Sequence, residues 1–247
     1  SALRKDILDN FSFSAGILKM DASQTKSLVE FLNSHDGFHL EELQELIYKV
    51  YDEFMSVYQR LIPALAIQYC KDDSFDYEHE GSTTSSFDSV KQFYLDAYEA
   101  LENLMIIPIA LNNIKYRSDI NAMNPIEKNV NSLEDYIKLT KASRYHFCLY
   151  SEVYTNFLKI FVNAKLRNAI GHNDVEYNSV EQLITYIPNP NDRTKKRTEY
   201  LLEFENEAMR MFQGILGISE YLYRLRELKL MNDGKIPLMV QETSKLA

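Results

Sequence analysis

A chain of 247 residues is long enough to bury a real core, and 45% hydrophobic with 26% charged content fits an ordinary globular protein, not a disordered or fibrous one. A net charge of −9 argues against a protein that coats nucleic acid indiscriminately, and two cysteines, Cys70 and Cys148, with no framework or metal spacing read as reduced thiols in a cytoplasmic protein. No apolar run reaches membrane-spanning length, no charged-then-apolar leader opens the chain, and Ser1-Ala2-Leu3 without Met reads as a cloning remnant or the start of a fragment of a longer protein.

Only 7 Gly and 6 Pro, with abundant Lys, Glu, Leu, Ile and Tyr, predict long helices and few strands. A short helix to Asn10 and a turn at Phe11-Ser12-Phe13 are expected first. Asp21 or Ser23 caps a helix to about Asn33, with Leu28, Phe31 and Leu32 inward, and residues 34–37 break it. His35 and His39 have the spacing of a helical metal pair, but Gly37 interrupts them and no third ligand lies nearby, so they read as loop and cap histidines. Residues 40–70 carry the longest helical pattern, a stripe from Leu43 to Leu65 that Pro63 kinks or restarts.

Residues 71–88 change character: Asp72, Asp73, Asp76, Glu78 and Glu80 precede Gly81 and a Ser/Thr run. The spacing matches no EF-hand loop, and a solvated connector is the expectation. A second long helix starts at Ser86 or Asp88, with Val90, Phe93, Tyr94, Ala97 and Leu101 inward, and is kinked at Pro108 before resuming to about Tyr116. After a loop at 119–125, Asn131 or Ser132 begins a helix towards Arg144.

The next stretch organises the chain. Tyr150, Val153, Tyr154, Phe157, Ile160, Phe161 and Ala164 recur at helical spacing, and the run ends in Arg167, Asn168, Gly171, His172, Asn173 and Asp174. Polar chemistry concentrated at a helix end is a site candidate. On an unbroken helix residues 167 and 172 would lie about 140° apart, so a stop at Gly171, which enters the left-handed conformation at no steric cost, lets both side chains converge.

Beyond it the period changes. Residues 175–177 and 183–187 have strand composition, 188–192 form a turn, and 198–204 is a third strand, with the first turn of the next helix as the alternative for 199–204. Arg193, Lys195, Lys196 and Arg197 make a basic tip. A helix from Asn206 to about Lys229 follows, stopped by Gly234. A second basic excess lies at 138–170, where Lys138, Lys141, Arg144, Lys159, Lys165 and Arg167 face only Glu152. It is a phosphate-facing surface or a solvated helix face.

Arg167, Asn168 and His172 reproduce the arginine, polar residue, three variable residues, histidine pattern of the higher-eukaryote-and-prokaryote nucleotide-binding (HEPN) superfamily, which this chain therefore resembles over about residues 86–230. The resemblance implies a helical bundle, a motif near the end of a bundle helix, homodimers with apposed motifs and, in catalytic members, metal-independent endoribonuclease activity. Many such members are toxins or abortive-infection effectors, so RNA as substrate and an antitoxin or other protein partner are expectations of the same kind.

The chemistry needs a base for the ribose 2′-OH, an acid for the leaving 5′-oxygen and a cation at the phosphorane. His172 and Arg167 supply two of these, Asn168 can orient phosphate or ribose, and a second protomer would supply the second histidine. Lys165, Asn173, Lys159, Arg193, Lys196 and Arg197 are the candidate phosphate contacts; no metal or other cofactor is expected.

The expected architecture is an all-α, up-and-down helical bundle with a small antiparallel hairpin or sheet inserted at about 175–204. Residues 1–85 pack on or extend the HEPN-like domain of 86–234, and 235–247 form a tail. Two rival readings stand beside the nuclease: a non-catalytic HEPN-like module binding RNA, a nucleotide or a protein through Arg167, and a helical interaction protein whose motif is only a cap.

Overall fold

Asp21 begins the first helix as its side chain dictates: Oδ1 accepts the Ser23 N–H at 2.7 Å, and α1 runs Ala22–Asn33. The computed structural model describes residues 14–67, 75–126, 129–150, 152–158 and 162–235. The expected helix before Asn10, the turn at 11–13, Cys70 and the tail from 236 onward lie outside them, as do Asp72 and Asp73 of the acidic stretch. Gly37, at φ +81°, turns the chain into α2, Leu40–Val57. There Glu42 Oε2 reaches back to accept the N–H groups of Gly37 at 2.9 Å and His39 at 3.2 Å, the glutamate half of a capping box.

A 3₁₀ turn, Tyr58–Arg60, separates α2 from α3, Ile62–Ile67, which carries Pro63 in its first turn where a missing N–H costs nothing. The described part of the long helical pattern at 40–70 is therefore two helices, the second restarting around Pro63. Next come α4, Phe87–Leu104, and α5, Ile106–Arg117, divided at Met105 three residues ahead of Pro108. Ser118, at φ +58°, ends α5. Ser132 Oγ accepts the Asp135 N–H at 3.1 Å and opens α6, Leu133–Lys138; α7, Lys141–Arg144, passes into a 3₁₀ turn at Tyr145–Cys148.

The expected continuous helix over 150–162 is corrected. Its described residues form turns and one 3₁₀ segment, Asn156–Leu158, and the motif helix α8 spans only Ala164–Gly171. A distant side chain takes one N–H away from a helical ladder. Asn112 Oδ1 accepts the Tyr154 N–H at 3.0 Å, and Asn112 Nδ2 donates to Thr155 Oγ1 at 3.1 Å. Thr155 and Leu158 are fully buried, with Tyr154 and Phe157 nearly so, which explains the apolar composition without a helix.

Three strands follow as one antiparallel sheet in the order β1-β2-β3: Val175–Asn178, Leu183–Tyr186 and Arg197–Tyr200. Val175 pairs with Tyr186 and Leu183 with Tyr200, so β2 is central and Ile184 and Tyr186 point into the core. The chain passes from β3 directly into α9, Leu201–Asn232, and the two expectations for 198–204 divide at Leu201. Among the described residues the protein is mostly helical with this one sheet, and no helix is long and apolar enough to cross a membrane.

The chain divides into two compact units, each discontinuous in sequence. The described residues of 46–101 and 160–215 form one. Its core includes Val90, Phe93, Tyr94, Leu101, Leu166, Ile184, Phe204 and Ile215, with Phe54 stacked on Phe212 at 3.8 Å between ring centroids. The described residues of 14–45, 102–159 and 216–235 form the other, where Tyr154 and Phe157 meet Tyr221 edge-on and Cys148 is buried against Met105. In this second unit Arg117 holds Glu152 with two bonds, of 2.5 and 3.1 Å.

Candidate functional site

The motif helix is fixed at its start by Asn163. Oδ1 accepts the Leu166 N–H at 3.0 Å as an N-cap. The same side chain's Nδ2 donates to Tyr186 Oη at 3.1 Å and Glu199 Oε2 at 3.2 Å, tying α8 to β2 and β3. Beside it Tyr94 on α4 donates its hydroxyl to Glu207 Oε2 at 3.2 Å. Leu166 and Ala169 face the core, which leaves Lys165 and Asn168 exposed and Arg167 partly covered.

Glu199 and Glu207 are each 6% exposed, and burial is the main reason their carboxyls hold protons well above the ordinary glutamate range. Repulsion from Glu203 at Glu199, and from Glu199 at Glu207, pushes the same way. Fully buried Glu205 is raised to about 7, also by burial; the Ser82 and Ser85 hydroxyls lie near enough to favour its carboxylate without closing a bond of normal geometry.

At the other end of α8 the C-cap differs from the expectation. Gly171 is the last helical residue, His172 is the C-cap at φ −96°, and Asn173 takes the left-handed conformation at φ +59°. The Asn173 N–H bonds Ile170 O at 3.1 Å and the Asp174 N–H bonds Ala169 O at 2.8 Å, the Schellman pair that requires its left-handed residue two places beyond Gly171. A Cβ at Gly171 would meet Arg167 Nη1 at 3.7 Å, an ordinary contact, so space does not demand glycine there.

Arg167 reaches α4. Its guanidinium is paired with Glu99, lies 5.8 Å from the Tyr98 ring centroid, and donates from Nη1 to Asn168 Oδ1 at 3.3 Å. His172 stands exposed, and among the described residues nothing bonds its imidazole. The helix end thus presents a braced cation and a free imidazole five residues apart in sequence, one set up to hold an anion and the other to move a proton.

The basic tip folds back to this end. Arg193 Nη2 bonds Asp174 Oδ1 at 2.5 Å and Lys196 Nζ lies 3.4 Å from Glu176 Oε2. Together with Asn173 and Thr185 these four line a cleft of about 160 Å³. Arg197 begins β3 and is exposed; Lys159 lies outside the described residues. Arg144, counted in the basic run, belongs to the second unit, is 8% exposed and donates to Ile137 O at 2.5 Å, so it faces no solvent phosphate.

Sequence reasoning missed Glu99, Tyr98, Asn163, Glu199 and Glu207. Asn163 alone carried a signal, a capping side chain three residues before Leu166. His35, in the second unit, is occupied by Phe31 O at 2.8 Å and Glu134 at 2.6 Å, and among the described residues no three His, Cys, Asp or Glu are grouped to hold a metal ion. Comparison with protein families, with curated proteins and with solved structures finds no match to the chain.

Proposed function

We propose that this chain is a HEPN-like, metal-independent endoribonuclease whose helices form an up-and-down bundle and whose active site is completed by a second protomer. The observation that carries the reading is the end of α8, where Arg167 is braced by Glu99 and Tyr98 and His172 is exposed without a partner among the described residues. In the reaction a base removes the ribose 2′-OH proton and O2′ attacks phosphorus. The P–O5′ bond breaks, and an acid protonates O5′, leaving a 2′,3′-cyclic phosphate and a 5′-hydroxyl.

One protomer offers one histidine, and two motifs across a two-fold axis would offer two histidines and two arginines. Asn168 and Lys165, exposed on the same helix, and Asn173, Arg193, Lys196 and Arg197 beside its end would track the RNA backbone. A cytoplasmic toxin or phage-defence effector held by an antitoxin is the biological role such chemistry would serve. The testing experiment is cleavage of a labelled structured RNA in EDTA, with protomer mass measured on the same sample. Cleavage by a dimer supports the reading, and a clean dimer that leaves several RNAs intact overturns it.

One observation favours the helical interaction protein whose motif is only a cap: Glu99 already neutralises Arg167 within the protomer. Glu99→Gln separates its two consequences. Loss of a partly exposed ion pair lowers stability by under about 1 kcal/mol, while a guanidinium freed from its carboxylate binds RNA several-fold tighter. Fluorescence polarisation at two salt concentrations reads this, and weaker or unchanged binding would remove Arg167 from the RNA surface.

A further inference from the structure

The second unit contains a cavity that the nuclease reading leaves unused. It measures about 480 Å³, within the range of small-molecule sites, and lies between the start of α2 and the last turns of α9. Arg226 and Lys229, three residues apart and therefore on one face of α9, line it together with His39 and Asn33. Lys229 has a counterion, Asp233 at 2.6 Å; exposed Arg226 has neither an ion pair nor a hydrogen bond among the described residues. Asn33 Oδ1 is taken by the Leu40 N–H at 3.2 Å, which leaves its Nδ2 as a donor.

Like charges placed at this spacing, with an imidazole and an amide donor in the same lining, are what a doubly charged oxyanion needs. The rest of the wall is not polar. Leu40 and Leu230 line it too, and Leu230 is 41% exposed, an apolar surface that nothing among the described residues covers. A cavity of this volume far exceeds a bare phosphate. Among the described residues Glu41 is the one carboxylate on the lining, and it opposes an anion.

We propose that this cavity binds a small phosphate monoester with an apolar or aromatic body, of nucleoside monophosphate size. Arg226 supplies the bidentate contact, Lys229 and His39 flank the phosphate, and the body lies against Leu40 and Leu230. The site shares no residue with α8, so it stands or falls apart from the nuclease reading.

The test is calorimetric titration of the full chain with adenosine and uridine 5′-monophosphates, beside the parent nucleosides and inorganic phosphate. Binding of a monophosphate should exceed that of nucleoside or free phosphate by about tenfold, fall about tenfold in Arg226→Ala/Lys229→Ala, and strengthen in Glu41→Gln. Far-ultraviolet circular dichroism melts confirm that the variants fold, as exposed positions should allow. Three results would overturn the proposal: no binding of either monophosphate, equal binding of free phosphate, or loss of binding in Arg167→Ala in place of the Arg226 variant.

Discussion

In His172→Ala, RNA cleavage in EDTA should fall by about 10²- to 10⁴-fold, the usual worth of a positioned acid or base, while the melting temperature stays where it was. The second half of that expectation comes from the helix end itself. The imidazole is exposed and bonds nothing among the described residues, so its loss buries no orphan and should change stability by no more than about 0.5 kcal/mol. Arg167→Ala must behave differently, because it removes a phosphate contact and leaves Glu99 without its cation. Arg167→Lys keeps the charge but not the planar fork, and should recover binding better than rate. If His172→Ala cleaves like the wild type, the motif has no part in catalysis.

The second expectation concerns pH. Unfolded, a glutamate loses its proton near 4.5; folded, Glu205 keeps its own until about 7, and the buried carboxyls of Glu199 and Glu207 are raised in the same direction. Between the two values unfolding releases a proton, so stability falls as pH rises, by about 1.4 kcal/mol per unit for each such group. For Glu205 alone that is about 3 kcal/mol across its window. His35 adds in the same sense. Its charge is favoured in the fold by the Phe31 carbonyl and then by Glu134, and that contribution is present below 6.5 and lost as pH rises through the raised value.

Below about 4 the balance reverses, since Asp21, Asp135 and Asp192 are held down by hydrogen bonds and lose them on protonation. The melting temperature should therefore peak at mildly acidic pH and drop on the order of 5 to 10 °C towards pH 9. Glu205→Gln, which cannot titrate, should flatten the slope. Scanning calorimetry across this range decides it: a melting temperature that climbs from pH 5 to 9, or a glutamine variant with the wild-type slope, contradicts the buried-acid account.

How far the residues could be read in advance depended on whether their partners were local. Asp21 and Ser132 act on neighbours within four residues, and each caps a helix as one of the two residues the sequence offered for it. The break expected at Pro108 falls three residues earlier, at Met105, and the helix that Ser132 opens stops at Lys138, short of Arg144. The strands after the motif are also local, since their alternation is a property of the strand itself. The run at 150–162 was misread because its partners are distant: Asn112, some forty positions away, takes the Tyr154 N–H and bonds the Thr155 hydroxyl.

Glu199, Glu205 and Glu207 were invisible for a similar reason. Four glutamates between Arg197 and Ala208 look like a solvated surface, and only the passage of β3 into α9 turns three of them inward. For the site, Arg167 and His172 were legible as types at a helix end, whereas Glu99, which determines how available Arg167 is, lies on another helix with no mark in its own surroundings.

Cys148 gives the second unit a clock. Its thiol is fully buried against Met105, and burial pushes its ionisation far above the ordinary thiol range, so alkylating reagents cannot reach a thiolate in the closed state. In a Cys70→Ser background, the rate at which Cys148 is labelled is therefore the rate or population of opening of the segment that carries it, read without any engineered probe.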